Sequence, residues 1–232
     1  MTRYWLPPHV HACITNECTV FLDLKLNKYV GLDEHETQHL RNVFAHGVEL
    51  DSDDQSLARA LVEQHLLTSD ESFGRPFHPV AIESPDRPLF DFDSAESLER
   101  PHFGPTHVLK FTRAYFATIA VLRMGSLQRA IHRIQHIRNQ AAQEGWSFSP
   151  RTSGELVKTF RLVRSLFYTA HDNCLIDSLV LLDFLRRFQQ RVTFVVGVRT
   201  TPFSAHCWLQ EANFAVNDRP EYVQKFSPIV VI

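Results

Sequence analysis

A proline-dense segment divides this chain of 232 residues into two parts. Between Gly74 and Pro105 the sequence holds six prolines, at positions 76, 79, 85, 88, 101 and 105, and an acidic cluster from Asp91 to Glu99. Proline lacks a backbone N–H and restricts the residue before it, so a long helix cannot run through this segment. We therefore predict a module over residues 1–75, a proline-rich linker over residues 76–105 and a second domain over residues 106–232.

The first part changes from short apolar runs separated by turn residues to helical periodicity. Its runs predict three strands, over Val10–Thr15, Thr19–Leu24 and Lys28–Leu32. A first helix is expected to begin near Asp33 and to end at Gly47. A second is expected to begin at Asp53, with Leu57 and Leu61 on its apolar face. Three strands and two or three helices make a small α+β module.

The second part is helical at first and mixed in its last third. Residues 108–144 and 155–170 have helical periodicity, and Ser149-Pro150 interrupts them. A further helix begins at Cys174, and the alternating run after it predicts a strand that ends before Pro202. Two more short strands are predicted, over His206–Gln210 and Phe214–Asp218. The whole chain is therefore predicted to be α+β.

Composition excludes several classes of function. The formal net charge is -2, which gives no support for nucleic-acid binding. The four cysteines form no CxxC pair, so we expect a reducing cytoplasm rather than a disulfide framework. No secretory signal is recognisable, and the longest apolar stretch, Ala114–Leu122, is too short for a membrane span. His132 and His136 have zinc-protease spacing, but Arg133 replaces the required glutamate, so we predict no metal site and no cofactor.

Three residues of the last third suggest nucleophilic catalysis, because Cys174, His206 and Asp218 follow one another on a helix, a strand and a strand. A thiol in the first helical turn lies beside unpaired backbone N–H groups, which lower its pKa from about 8.5. Cys174 has this position if Asp172 or Asn173 caps the helix. The same N–H groups can bind an oxyanion. The order fits a nucleophile, its base and the group that orients the base.

A hairpin between the last two strands would bring the base and its orienter together. A three-residue loop over residues 211–213, with Asn213 in the left-handed conformation, places His206 directly opposite Asp218. Directly opposed residues have Cβ atoms roughly 5 Å apart, so the carboxylate could hold the imidazole. A two-residue loop would instead place Arg219 opposite His206.

Structural interpretations of the same residues stay open at this point. A cysteine at a helix start is often a small buried residue, and Asp218 has the context of a plain turn residue. Cys207 competes for the role of nucleophile, although strand alternation places it on the opposite face from His206 and predicts that it is buried. Asp172 and Asp177 compete as orienters.

Five short stretches lie in compact order from about Asn173 to the C-terminus. They are Cys174-Leu-Ile-Asp-Ser178, Val195-Val-Gly-Val-Arg199, Pro202-Phe203, His206-Cys-Trp208 and Val216-Asn-Asp218. This series resembles the signature of the lasso-peptide maturation B proteins, which are leader peptidases with a transglutaminase-like, papain-related fold. The resemblance implies a cysteine protease in which Cys174 is the nucleophile, His206 the base and Asp218 the orienter.

Two stretches of the first part, Val20-Phe-Leu-Asp23 and Tyr29-Val-Gly-Leu32, resemble the small recognition element at the start of fused B proteins. That element is winged-helix-like and similar to a pyrroloquinoline-quinone maturation chaperone. The resemblance implies that the leader of the precursor adds a strand to the sheet edge. The residues implied for leader-peptide binding are Lys28, Tyr29, Val30 and Leu32 on the edge strand, with Leu57 and Leu61 on the supporting helix. The alternative is that these are ordinary core positions.

The resemblance implies a cytoplasmic enzyme of lasso-peptide (ribosomal natural product, antibiotic) biosynthesis. It would remove the leader from a ribosomally synthesised precursor and pass the freed core amine to an asparagine-synthetase-like cyclase. The expected partners are therefore the precursor and the cyclase. Two alternatives remain: an amide-forming acyl transferase of transglutaminase type, and a non-catalytic module that only binds the precursor.

Overall fold

A computed structural model describes residues 3–45, 49–89, 104–124, 127–168 and 173–232. The chain divides into two compact units, Met1–Ala81 and Ile82–Ile232. The boundary lies inside the segment predicted as a linker over residues 76–105, and residues 82–89 belong to the second unit instead of connecting the two. The acidic cluster Asp91–Glu99 lies outside the described residues.

The first unit is an antiparallel three-stranded sheet followed by two helices, as predicted. The strands are β1 Val10–Ile14, β2 Thr19–Asp23 and β3 Lys28–Leu32, in the order β1-β2-β3. The helices are α1 Glu34–Phe44 and α2 Ser52–Glu63. Asp33 and Asp51 begin the two helices with complete capping boxes, so α2 is capped two residues earlier than predicted. The predicted end of α1 at Gly47 lies outside the described residues.

The central strand β2 organises the core of this unit, and all five of its residues are buried. Phe21 of β2 packs in one cluster with Leu40 of α1 and Leu61 of α2. The two outer strands differ in their surroundings. The Nη2 of Arg75 donates a hydrogen bond to the carbonyl oxygen of Val10 in β1 at 2.7 Å. In the described part of the chain, β3 pairs with β2 alone.

The second unit contains five helices and five strands among its described residues. The helices are α3 Pro105–Met124, α4 Leu127–Gln143, α5 Pro150–Arg164, α6 Cys174–Arg186 and α7 Pro220–Val223. The strands are β4 Arg87–Pro88, β5 Thr193–Thr200, β6 Phe203–Glu211, β7 Phe214–Ala215 and β8 Ser227–Val231. The sheet order is β4-β7-β6-β5-β8; β4 and β7 run parallel, and the other neighbouring pairs run antiparallel. None of the helices among the described residues is long and apolar enough to cross a membrane.

Helix α6 is the centre of this unit, because it packs against α3 and α5 and against the sheet at β6. Its residues from Asp177 to Leu185 are all buried, which explains why apolar residues occur on every side of it. The buried carboxylate of Asp183 pairs with Arg133 of α4 at 3.1 Å, and also with Arg186 and Arg187. Arg133 is thus an ion-pair partner of α6.

Helix α5 begins at Pro150, five residues before the predicted start. Ser149 is its N-cap and accepts a hydrogen bond from the backbone N–H of Thr152. Proline suits the first position of a helix because the missing N–H would have no helical partner there. Ser149-Pro150 therefore follows the predicted break between α4 and α5 and is itself the start of α5.

The predicted register of the hairpin between β6 and β7 is wrong. Gln210 pairs with Ala215, so the loop has two residues and not three. The left-handed residue is Ala212, with φ of 49°, instead of Asn213. Asn213 has another partner: its Nδ2 donates to the Asp86 carboxylate at 2.8 Å, and its carbonyl oxygen accepts from the backbone N–H of Asp86 at 3.0 Å. The β4 segment therefore fixes this turn.

Candidate active site

Cys174 is the first residue of α6 and is half-buried. Asn173 occupies the N-cap position, and its side chain makes no capping hydrogen bond to the helix. The alternative cap, Asp172, lies outside the described residues. The thiol therefore lies beside the first-turn N–H groups, at the positive end of the helix dipole.

His206 lies on β6 and is hydrogen-bonded to Asp218. The His206 Nε2 and the Asp218 Oδ2 are 2.6 Å apart, and the two side chains are 13% and 25% exposed. The other carboxylate oxygen of Asp218 accepts from the backbone N–H of Arg219 at 2.8 Å. Since Nε2 is bound to Asp218, the nitrogen left to face Cys174 is Nδ1.

Asp218 reaches His206 by a different route from the predicted one. The ladder between β6 and β7 ends at Ala215, so its register does not continue to Arg219. The Val216 N–H still donates to the Leu209 carbonyl oxygen at 2.9 Å. The Leu209 N–H, however, donates to the Asn217 side-chain Oδ1 at 2.8 Å. The chain thus leaves the sheet at Asn217 and presents Asp218 to the imidazole.

Aromatic rings pack around His206 and limit its motion. The ring centroids of Tyr222 and Phe226 lie 5.1 Å and 5.3 Å from that of the imidazole. Gly197 lies opposite His206 on β5, and a Cβ there would come within 2.7 Å of Trp208 and 2.8 Å of Phe226. Glycine is therefore the residue that lets these rings pack beside the base.

The Cys174 thiol is strongly activated. Hydrogen bonds from the Cys207 thiol and from His206, with one from the Cys207 backbone N–H, lower the pKa of Cys174 to about 4. Burial lowers the pKa of His206, but the hydrogen bonds to Asp218 and Cys174 outweigh it and raise the pKa to about 9. At neutral pH the pair is therefore a thiolate and an imidazolium, which is the reactive form of a thiol nucleophile.

Cys207 is not a second nucleophile. It is 8% exposed, as predicted, and its hydrogen bond to Cys174, followed by burial, raises its pKa well above the usual range. Cys207 follows His206 directly on β6, yet both residues reach Cys174, because the start of α6 lies against β6. Cys207 is a neutral thiol that donates to the thiolate.

Asp177 does not orient the base. Its Oδ1 accepts from Arg164 Nη1 at 2.9 Å and from the Tyr168 hydroxyl at 3.2 Å. It is 6% exposed and joins α6 to α5. The other competing orienter, Asp172, lies outside the described residues.

The residues predicted for leader binding lie in two environments. Lys28 is exposed on β3, while Tyr29 and Val30 are half-buried. Leu32 and Leu61 are core residues, 7% and 2% exposed, so their side chains belong to the interior of the first unit. Leu57 is partly buried and packs against that core.

One group of potential metal ligands occurs among the described residues, consisting of His39, Asp51 and Asp54. The three are already engaged with one another and with the helix start. His39 Nδ1 bonds to Asp54 Oδ1 at 2.7 Å, and Asp51 Oδ1 accepts from the Asp54 N–H at 2.8 Å. Asp51 and Asp54 form the capping box of α2, and His39 connects it to α1. These helix contacts explain why the three residues lie together.

The pH dependence of alkylation should reveal the activated thiol. Because the Cys174 pKa is about 4, its thiolate persists as the pH falls and is lost only below that value. At about pH 5 we expect iodoacetamide to modify Cys174 about tenfold faster than the half-buried Cys18, after allowing for the lower nucleophilicity of a weakly basic thiolate. Peptide mass mapping measures both rates in the same sample. Parallel pH profiles for the two cysteines would contradict the activated pair.

Comparison with known families identifies the part of the chain that carries these residues. Residues 119–231 match the model of the transglutaminase-like superfamily, and this range includes Cys174, His206 and Asp218. Comparisons with curated proteins and with solved structures give no significant match. Residues 119–231 thus form a transglutaminase-like domain, a type that is usually a Cys-His-Asp enzyme and includes both cysteine peptidases and acyl transferases.

Proposed function

We propose that this protein is a cysteine peptidase that removes the leader peptide from a lasso-peptide precursor before macrolactam cyclisation. The observation that carries the proposal is the chain of contacts from Cys174 to His206 to Asp218 within a transglutaminase-like domain. The substrate class is suggested by the motifs around these residues, which resemble those of lasso-peptide maturation B proteins.

The geometry supports a two-step hydrolysis. The Cys174 thiolate attacks the carbonyl carbon of the last leader residue, and the first-turn N–H groups of α6 stabilise the developing oxyanion. As the C–N bond breaks, His206 Nδ1 gives its proton to the departing core amine, leaving a thioester between the leader and Cys174. Water then attacks the thioester while Nδ1 accepts a proton, which releases the leader as a carboxylic acid and restores the thiolate. Asp218 stabilises the imidazolium at Nε2 throughout.

The first unit is proposed to bind the leader by strand addition at β3. Within the described residues β3 pairs only with β2, whereas Arg75 already engages the backbone of β1. A peptide strand next to β3 would gain backbone hydrogen bonds and side-chain contacts with Lys28, Tyr29 and Val30. Leu32, Leu57 and Leu61 would support β3 from the core.

This reaction is proposed to take place in the cytoplasm, where the precursor is made. The product is a core peptide with a free α-amine, which an asparagine-synthetase-like cyclase would join to a side-chain carboxylate. The proposed partners are therefore the precursor and that cyclase.

Mass spectrometry of the products tests the proposal and separates it from acyl transfer. The full chain is incubated with its precursor, with and without a primary amine in excess. A peptidase gives a leader with a free carboxylate and a core with a free amine, whose masses add up to the precursor plus one water. A leader that carries the added amine would show that an amine resolves the thioester and would favour the transferase. An intact precursor in both samples would contradict both activities.

A further inference from the structure

One buried hydroxyl connects the three chain segments that carry the triad. Ser178 lies one turn after Cys174 on α6 and is fully buried. Its Oγ donates a hydrogen bond to the carbonyl oxygen of Cys207, the residue after the base, at 3.0 Å. The Nδ2 of Asn217, the residue before the orienter, donates to the same Oγ at 3.1 Å.

The side chain of Asn217 also takes the place of a backbone hydrogen-bond acceptor in the sheet. The ladder between β6 and β7 ends at Ala215, two residues before Asn217. The Leu209 N–H donates to the Asn217 Oδ1, so the amide side chain holds β6 on one side and Ser178 on the other. The position of Asp218 therefore depends on this side chain as well as on the last backbone hydrogen bond of the pairing, from the Val216 N–H to the Leu209 carbonyl oxygen.

The bonding of Ser178 is unusual for a serine inside a helix. Such a hydroxyl commonly bonds to the carbonyl four residues earlier in its own helix, which here would be that of Cys174. Ser178 instead donates across to β6 and accepts from Asn217. Removing the hydroxyl would deprive the Cys207 carbonyl oxygen and the Asn217 amide of this hydrogen-bond partner in the buried interior.

We propose that Ser178 and Asn217 are positioning residues that hold the helix of the nucleophile, the strand of the base and the turn of the orienter in one fixed arrangement. This inference rests on the proposed function, because it takes Cys174 to be the nucleophile. A displacement of about 1 Å between reacting groups can cost about 100-fold in rate. The hydrogen bonds that Ser178 and Asn217 make next to the triad limit such a displacement, so their loss has a large effect on catalysis.

The test compares Ser178→Ala with the wild type in two measurements. For cleavage of the precursor we expect kcat to fall by about 10- to 100-fold while KM stays within about twofold, because the substrate does not touch Ser178. For alkylation at about pH 5 we expect Cys174 to react about tenfold more slowly, because the imidazolium and the Cys207 donors no longer face the thiolate correctly. Asn217→Ala, measured in the same way, should have effects of similar size.

Ser153→Ala is the matched control. Ser153 is also fully buried in a helix of the same unit, and its Oγ donates one hydrogen bond, to Gln190 Oε1 at 3.0 Å. This variant should lose a comparable amount of thermal stability without a change in kcat or in the alkylation profile. A folded Ser178→Ala or Asn217→Ala variant that behaves like Ser153→Ala would overturn the positioning role.

The two measurements keep this inference separate from the proposed function. A wild-type protein that is alkylated at acidic pH but leaves the precursor intact would contradict the peptidase. The alkylation profiles of Ser178→Ala and Asn217→Ala would still decide whether these residues position the thiolate. If either variant fails to fold, the other supplies the decision, since Ser178 and Asn217 lie at opposite ends of one hydrogen bond.

Discussion

Replacing Cys174 with alanine should abolish cleavage of the precursor and leave leader binding intact. The substitution removes the atom that forms the thioester, and His206 and Asp218 cannot substitute for it, so we expect kcat/KM to fall by about 10⁴-fold or more. Cys174 is half-buried at the start of α6, so the loss of one sulfur leaves the core of that helix unchanged. Product analysis by mass spectrometry measures the remaining cleavage.

Binding of the leader to the Cys174→Ala protein can be followed by hydrogen exchange. A leader strand on β3 should slow exchange at residues 28–32 and leave residues 10–14 of β1 unaffected, since these form the other edge of the same sheet. Cys18→Ala is the matched control, because it removes a half-buried thiol from the first unit and should cleave normally. Retained cleavage by the Cys174→Ala protein would show that another residue is the nucleophile.

Asp218→Asn should lower kcat by about 10³-fold, with KM nearly unchanged. The carboxylate bonded to Nε2 is one of the groups that raise the pKa of His206 to about 9, so its removal lowers that pKa. The imidazolium is then lost at lower pH, and the thiolate loses its charged partner. The alkaline limb of the kcat profile should therefore move toward neutral pH, while alkylation of Cys174 at about pH 5 becomes slower.

Asp177→Asn serves as the control for this variant. Its carboxylate is bonded to Arg164 and Tyr168 instead of the imidazole, so we expect lower stability and an unchanged alkaline limb. The assignment of the orienter would be wrong if Asp177→Asn, and not Asp218→Asn, moved that limb.

Local sequence signals predicted most elements of the fold. The alternation of β1, β2 and β3 and the acidic caps of α1 and α2 depend on neighbouring residues, so their positions were predicted to within about two residues. The buried helix α6 was predicted to begin at Cys174, where it does begin. The start of α5 was missed because proline was interpreted as a helix breaker, although it also favours the first helical position.

Long-range contacts explain what the sequence could not predict. The turn at Ala212 is fixed by Asp86, which lies 127 residues before Asn213 in the chain. The predicted register was wrong, yet His206 and Asp218 meet because Asn217 ends the strand pairing early. Ser178 and Asn217 belong to the motif stretches, but their bonding becomes visible only when α6 is packed on β6. The i+4 spacing of Ser178 from Cys174 was the one available signal.

The assignment of residues 82–89 to the second unit determines where the two halves of this protein can be separated genetically. Gln210 Nε2 donates to the Glu83 carbonyl oxygen at 2.8 Å, and Gln224 Nε2 donates to that of Pro85 at 2.7 Å. A catalytic fragment that started after Pro105 would lose both partners and expose the edge of β7 to other chains. A gene split between Ala81 and Ile82 keeps these contacts, so it is the division that leaves both compact units whole.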